Sequence, residues 1–252
     1  MPFTAAHPAI VLPLKYKFGR LFSTTGLVIG SIAPDFAYFL SPLITTKVSH
    51  TLKGVLVFNL PVTIILAILF HAVVREQLIR FLPPVLERRA AVAAKAKWFS
   101  YLRRNWPIFL VSAFIGILSH LFWDSFTHYS GFFVRHFPVL RKPVDFFGYD
   151  LPLCRWIQHI STAVGLAAVG LYIKLLPVYT LARGRRYGWL YFWAAVFASG
   201  LVLLLVRTPH VHSIAQLEQW VVRFLSGCLL AVILLTALLK LRQKVMNQDF
   251  QD

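Results

Sequence analysis

The chain has 252 residues, 58% hydrophobic and only 14% charged, with a mean hydropathy of +0.67. Water-soluble domains hold nearer 45–50% apolar and about 25% charged residues, so the composition argues against a soluble protein and leaves room for one integral membrane domain over residues 1–252. The net charge of +17 then reads as loop cations that set topology rather than as a nucleic-acid surface, and Cys154 and Cys228 are too few and too separated for a disulfide framework.

Taken in chain order, Met1-Pro2-Phe3-Thr4 lacks a basic start followed by an apolar run, so no cleaved signal peptide is expected. Residues 24–41 are apolar but carry Gly26, Gly30, Pro34 and Asp35. That stretch reads as a re-entrant helix or a sixth span. Five stronger stretches follow, at 54–74, 108–127, 157–181, 188–206 and 219–239, each close to the roughly 20 residues a crossing helix needs. They are expected to be helices because lipid cannot satisfy an open backbone. The fold expected is therefore all-α, a polytopic helical membrane protein with five transmembrane helices plus the re-entrant or sixth N-terminal helix.

The loops give sidedness. Segment 75–107 holds Arg75, Arg80, Arg88, Arg89, Lys95, Lys97, Arg103 and Arg104, loop 182–187 holds Arg183, Arg185 and Arg186, and the tail holds Lys240, Arg242 and Lys244. Two spans separate each from the next, so all three share one side, cytoplasmic by the positive-inside rule. Loops 128–156 and 207–218 then face outward. Arg88 to Lys97 reads as a helix along the membrane surface. Tyr129 to Trp156 mixes aromatics with Arg135, Arg141 and Lys142, which suits headgroup anchoring or a grip on phosphate.

The sharpest motif is His120-Leu121-Phe122-Trp123-Asp124-Ser125-Phe126-Thr127-His128. On a helix, positions i, i+4 and i+8 form one stripe, so His120, Asp124 and His128 are expected to point one way from the outer end of the second span. Imidazoles with a carboxylate suit zinc, iron or manganese. An Asp–His pair satisfied by backbone is the structural alternative, but ionisable groups at membrane depth are costly and mark function by default. His50 just before the first span and His159 opening the third are expected at the same face. Asp35 follows Pro34 in an apolar segment, where an unpaired carboxylate is disfavoured, and His7 joins if the N-terminus lies outside. His71 falls at the opposite end of its span, and His136, His210 and His212 are left out of the set.

Pro2-Phe3-Thr4 with His7-Pro8-Ala9, Gly30-Ser31-Ile32-Ala33-Pro34-Asp35, Ser49-His50-Thr51, His120 through His128, and Leu151-Pro152-Leu153 with Gln158-His159 resemble a bacterial membrane-protein family, domain of unknown function 4184. The order His, Pro-Asp, His, His-x-x-x-Asp is more distantly similar to inner-membrane metal-dependent hydrolases and to the zinc-dependent phospholipase C and single-strand nuclease superfamily. That likeness implies an all-helical zinc site that hydrolyses phosphate esters, with His7, Asp35, His50, His120, Asp124 and His128 as ligands and His159 as a further one. The superfamily's N-terminal Trp ligand has no match here, the His after Asp124 comes at another spacing, and Glu218 is far from a late Glu ligand. One or two ions, rather than three, follow from those departures.

The function expected is a membrane-embedded hydrolase of the bacterial inner membrane, dependent on zinc or else manganese or iron. Its site faces outside and acts on a lipid-like phosphoester, with Asp35 or Asp124 bridging ions or orienting the attacking water. Membrane lipids are the expected partners, and nucleic acid is not. The rival expectation is a non-catalytic transporter or assembly factor using the cluster for ions or protons. A transporter needs polar residues through the whole membrane thickness, and the inner halves of the five spans are nearly free of carboxylates.

Overall fold

The computed structural model describes residues 3–40, 46–146, 148–179, 188–206 and 214–249. The sequence features at 182–187 and 207–213, including His210 and His212, lie outside the described residues. A 3-10 segment, Thr4–Ile10, leads into α1 (Leu12–Lys17) and α2 (Thr24–Ile32). The Ser23 hydroxyl caps α2 by accepting from Gly26 N at 3.3 Å. Pro34 ends regular α-helix by removing a donor, and a 3-10 turn, Ala33–Asp35, passes into the one-turn α3 (Phe36–Phe39). At about 1.5 Å per residue, the nine residues of α2 fall far short of a membrane's thickness. Segment 24–41 is thus a broken helix rather than a sixth long span.

After α4 (Thr46–Ser49) comes α5, the continuous helix Leu52–Arg80, interrupted by π turns at Val55–Asn59 and Phe70–Val74. Next are α6 (Pro84–Lys95), with Pro84 at its first turn, and α7 (Trp98–Thr127). The kink in α7 falls at Asn105 (φ −127°, ψ 27°), two residues before Pro107. The segment after α7 contains α8 (Phe132–His136) and a hairpin of β1 (Pro143–Phe146) with β2 (Tyr149–Pro152), a small β element that hydropathy does not reveal. Gly148 turns the hairpin at φ +80°, its N–H donating to Asp145 Oδ1 at 2.9 Å. The remaining helices are α9 (Leu153–Leu175), α10 (Gly188–Leu205) and α11 (Ile214–Asp249).

Five helices are long and apolar enough to cross a membrane: Leu52–Arg80, Trp98–His136, Leu153–Leu175, Gly188–Leu205 and Gln219–Gln248. They match the five stretches expected from hydropathy.

The chain groups into two compact units, Met1–Ala67 with Ser100–Leu175, and Ile68–Phe99 with Leu176–Asp252. The second unit is held by Phe192, Val196 and Ala231, with Phe81 stacked on Phe192 at 5.0 Å between ring centroids. In it His71 stacks on Trp98 at 4.2 Å and meets Arg75 Nη1 at 3.2 Å. That is a packed histidine inside the second π turn of α5.

The first unit carries the chemistry. Its organising contact is α2 against α7. A Cβ on Gly30 would lie 2.4 Å from the Ala113 carbonyl oxygen, and one on Gly116 would lie 2.4 Å from that of Leu27. The two backbones therefore touch, as small residues allow between membrane helices. Ser112, one turn along, accepts from Ser23 N at 2.8 Å.

Candidate metal centre

The close approach of α2 and α7 places the Ser31 carbonyl 2.7 Å from His120 Nδ1. A carbonyl oxygen only accepts, so Nδ1 carries the proton. In the neutral ring this leaves the Nε2 lone pair to face the interior of the unit, the arrangement common to metal-ligating histidines. His120 is fully buried, and its Nε2 lies 3.3 Å from Asp35 Oδ1 and 3.3 Å from Asp124 Oδ2.

Asp35 arrives on the 3-10 turn that Pro34 starts, 1% exposed. Its Oδ2 accepts from the Thr4 hydroxyl at 2.6 Å, which turns Oδ1 toward the histidines. Burial by itself pushes this carboxyl up, but without a metal ion a protonated His120 beside it outweighs burial and holds Asp35 below its ordinary value. Losing the Thr4 hydroxyl frees Asp35 to rotate. Thr4→Val is expected to weaken cation binding by about 10–100-fold, the usual cost of an outer-shell partner, as read by titration calorimetry.

His50 follows the one-turn α4. Its Nδ1 pairs with the Ser49 hydroxyl at 2.9 Å, and its Nε2 lies 3.3 Å from Asp124 Oδ2 and 3.8 Å from Asp35 Oδ1. The turn is clamped from α5, where the buried Asn59 donates through Nδ2 to the Ser49 carbonyl at 2.7 Å. Asn59 closes the π turn Val55–Asn59, a local distortion of the kind often found beside functional residues.

His7 is buried on the Thr4–Ile10 segment, its ring stacked on that of His120 at 3.8 Å between centroids and 19° between planes. Its Nε2 is 3.7 Å from Asp124 Oδ1. Burial, and then the neighbouring His120, push the His7 imidazole down from its ordinary value to about 3, so it offers a neutral ring. The segment is pinned to α9, with Phe3 N donating to the Thr162 hydroxyl at 3.0 Å.

Asp35, His50, His120 and Asp124 each bring one ligand-type atom to within 4.8 Å of the others. Bond lengths of about 2.0–2.2 Å to zinc place tetrahedral ligands roughly 3.4 Å apart, and the contacts above, 3.3 to 3.8 Å, bracket that value. His120 Nε2, Asp35 Oδ1 and Asp124 Oδ2 are buried and make no hydrogen bond among the described residues. Buried polar atoms that converge without bonding call for a common partner. Two buried carboxylates also need compensating charge, and one divalent cation supplies it. These residues fit a metal ion.

The other expected ligands stand differently. His7 and His128 flank the four, each with a nitrogen 3.7 Å from Asp124 Oδ1. His128 Nδ1, however, donates to the Asp124 carbonyl at 3.1 Å, and its side chain is 25% exposed. His159 is exposed, lies edge-on to Trp156 at 6.5 Å and is not one of the four residues that converge. In α9 the buried position is Gln158, and the next residue points about 100° away around a 3.6-residue turn. His136 is also exposed, its Nδ1 bonded to the Phe132 carbonyl at 2.8 Å. The Ser31 carbonyl, Thr4, Ser49 and Asn59 are the supporting groups that sequence reasoning missed. Thr4 and Ser49 did stand within the quoted motifs.

Five helices suited to crossing a bilayer and a buried His/Asp cluster able to hold a metal ion define a polytopic helical integral membrane protein. Residues 1–237 match the family model described as Domain of unknown function (DUF4184), and the chain belongs to that family. No curated protein and no solved structure matches it.

Proposed function

We propose that this protein is a membrane-embedded, zinc-dependent hydrolase acting on phosphoesters of lipid-like molecules at the outer interface of a bacterial inner membrane. The observation that carries the reading is the convergence of Asp35, His50, His120 and Asp124 within 4.8 Å in a chain otherwise built for lipid. Two imidazoles and two carboxylates favour zinc over magnesium or calcium. Zinc held there supplies Lewis acidity toward a phosphoryl oxygen and lowers the pKa of water.

The protein's own residues do the rest. His50 and His128, with side chains 23% and 25% exposed, line the open side, by which a substrate enters. Asp35 is committed on both oxygens, one to Thr4 and one to the cluster. Asp124 Oδ1 makes no hydrogen bond among the described residues, so it is the acceptor available to orient the attacking water and hold its proton. His128 stands 3.7 Å from that oxygen, at the open side where the proton can pass to solvent. The positions of the basic loops support an outer-facing site, by the positive-inside rule.

The test is release of inorganic phosphate or of a phosphorylated head group from phosphatidate and phosphatidylglycerol by zinc-loaded protein in nanodiscs. Asp124→Asn is expected to lower the rate by about 1,000-fold or more, the scale of losing an electrostatic or general-base group. Wild-type protein that holds zinc yet cleaves neither a monoester nor a diester lipid would leave the cluster as an ion- or proton-binding device.

A further inference from the structure

An apolar groove of about 460 Å³ runs along α9 next to the cluster. Its wall on that helix is formed by Ile157, Ile160, Val164 and Ala168, spaced to lie on one helical face. His7 and Trp123 contribute to the opposite side. His7 is therefore common to the groove and to the stack on His120, and Trp123 directly precedes Asp124 in α7. Ile160 and Val164 remain 58% and 62% exposed.

Dimensions decide what this groove can hold. From Ile157 to Ala168 it follows α9 for about 16 Å at 1.5 Å per residue, roughly half of a 30 Å hydrocarbon core. It starts in the first turns of the helix, which begins at Leu153. The groove is thus one leaflet deep. An extended hydrocarbon chain of one leaflet's length matches the groove's length and its apolar wall.

We propose that the groove holds one hydrocarbon chain of a membrane lipid whose phosphorylated head group lies at the His/Asp cluster. This deepens the hydrolase reading and rests on it for the head group. It makes the substrate a chain-bearing phosphoester rather than a water-soluble one, selected by apolar contact along α9. Among the described residues the lining holds few polar groups, those of His7, Trp123 and Ser161, and the Ser161 hydroxyl is already donating to the Gln158 carbonyl at 3.1 Å.

The experiment is native mass spectrometry of the delipidated, zinc-loaded full chain, titrated with palmitoyl lysophosphatidic acid. Val164→Trp and Ala168→Phe fill the groove from exposed positions, and neither residue belongs to the metal cluster. Leu171→Trp alters an exposed residue of the same helix outside the lining. Wild type and Leu171→Trp are expected to take up one lipid per chain. The two groove variants should bind it at least about tenfold more weakly with unchanged zinc content. Equal uptake by Val164→Trp and Leu171→Trp overturns the proposal, as does a dimer that Val164→Trp dissociates without changing lipid uptake. Lipid uptake that depends on the groove in a protein that takes up no zinc overturns the metal reading alone. Zinc uptake without groove-dependent lipid binding overturns this inference alone.

Discussion

Protein carrying His120→Ala or Asp124→Asn is expected to emerge from purification without the metal that wild type holds at about one equivalent, the stoichiometry of a single four-ligand zinc site. His120 Nε2 touches both carboxylates at 3.3 Å, so its loss removes a ligand and leaves two facing negative charges. Asn in place of Asp124 keeps the side chain's shape and removes one of the two charges that balance a divalent cation. Either change is expected to weaken binding by more than about 100-fold, beyond the range of an outer-shell loss. His159→Ala is expected to leave metal content as in wild type, because His159 is exposed and is not one of the four converging residues. Elemental analysis of detergent-purified protein prepared without chelators reads all three. A wild type that stays metal-free when zinc, manganese and iron are each supplied would sink the metal centre. Two equivalents would put a second ion between Asp124 Oδ1 and His7, whose nitrogen lies 3.7 Å from it.

A larger structural effect is expected at the α2–α7 contact. Gly30→Leu or Gly116→Leu drives a side chain into a backbone carbonyl 2.4 Å from where its Cβ must sit, and a carbonyl in a helix cannot rotate aside. Overpacking of this kind costs about 1–3 kcal/mol and more when backbone must move. The same displacement carries Ser31 away from His120, whose Nδ1–H then loses its acceptor. Thermal unfolding of Gly116→Leu should show a markedly lower midpoint together with loss of bound metal. Gly170→Ala, where a Cβ meets nothing within 4 Å, is expected to change the midpoint little. Similar midpoints for Gly116→Leu and Gly170→Ala would mean that the helices do not pack through these glycines.

The spans were legible because a membrane helix announces itself by length and hydropathy alone. The break in segment 24–41 was legible too, in Pro34 and Asp35. The His120–Asp124 pair could be read from i,i+4 spacing, since both residues lie on one helix and need no knowledge of neighbours. His159 was harder to read. Its position near a helix end says nothing about which way that helix is turned, and α9 buries Gln158 instead. Nothing in the sequence identifies the Ser31 carbonyl as the group that fixes the His120 tautomer, because every residue has a carbonyl and only packing selects one. The π turn at Val55–Asn59 was equally invisible, yet it is where Asn59 reaches the Ser49 carbonyl. The hairpin after α8 was hidden because its short strands carry Pro143, Asp145, Asp150 and Pro152, residues depleted in strands.

The bond between His120 and Ser31 spans 89 residues of sequence, and this separation sets an order of events during synthesis. Asp35 and His50 leave the ribosome well before the helix that supplies His120 and Asp124. Until α7 is inserted, the earlier segment carries a carboxylate without its compensating partners, and α2 lacks the backbone surface it packs on. Contacts so distant in sequence form late, so the centre closes only when α7 slides against α2. A nascent chain halted before residue 120 should therefore be open to proteases in the membrane, and metal delivered earlier would find half a site.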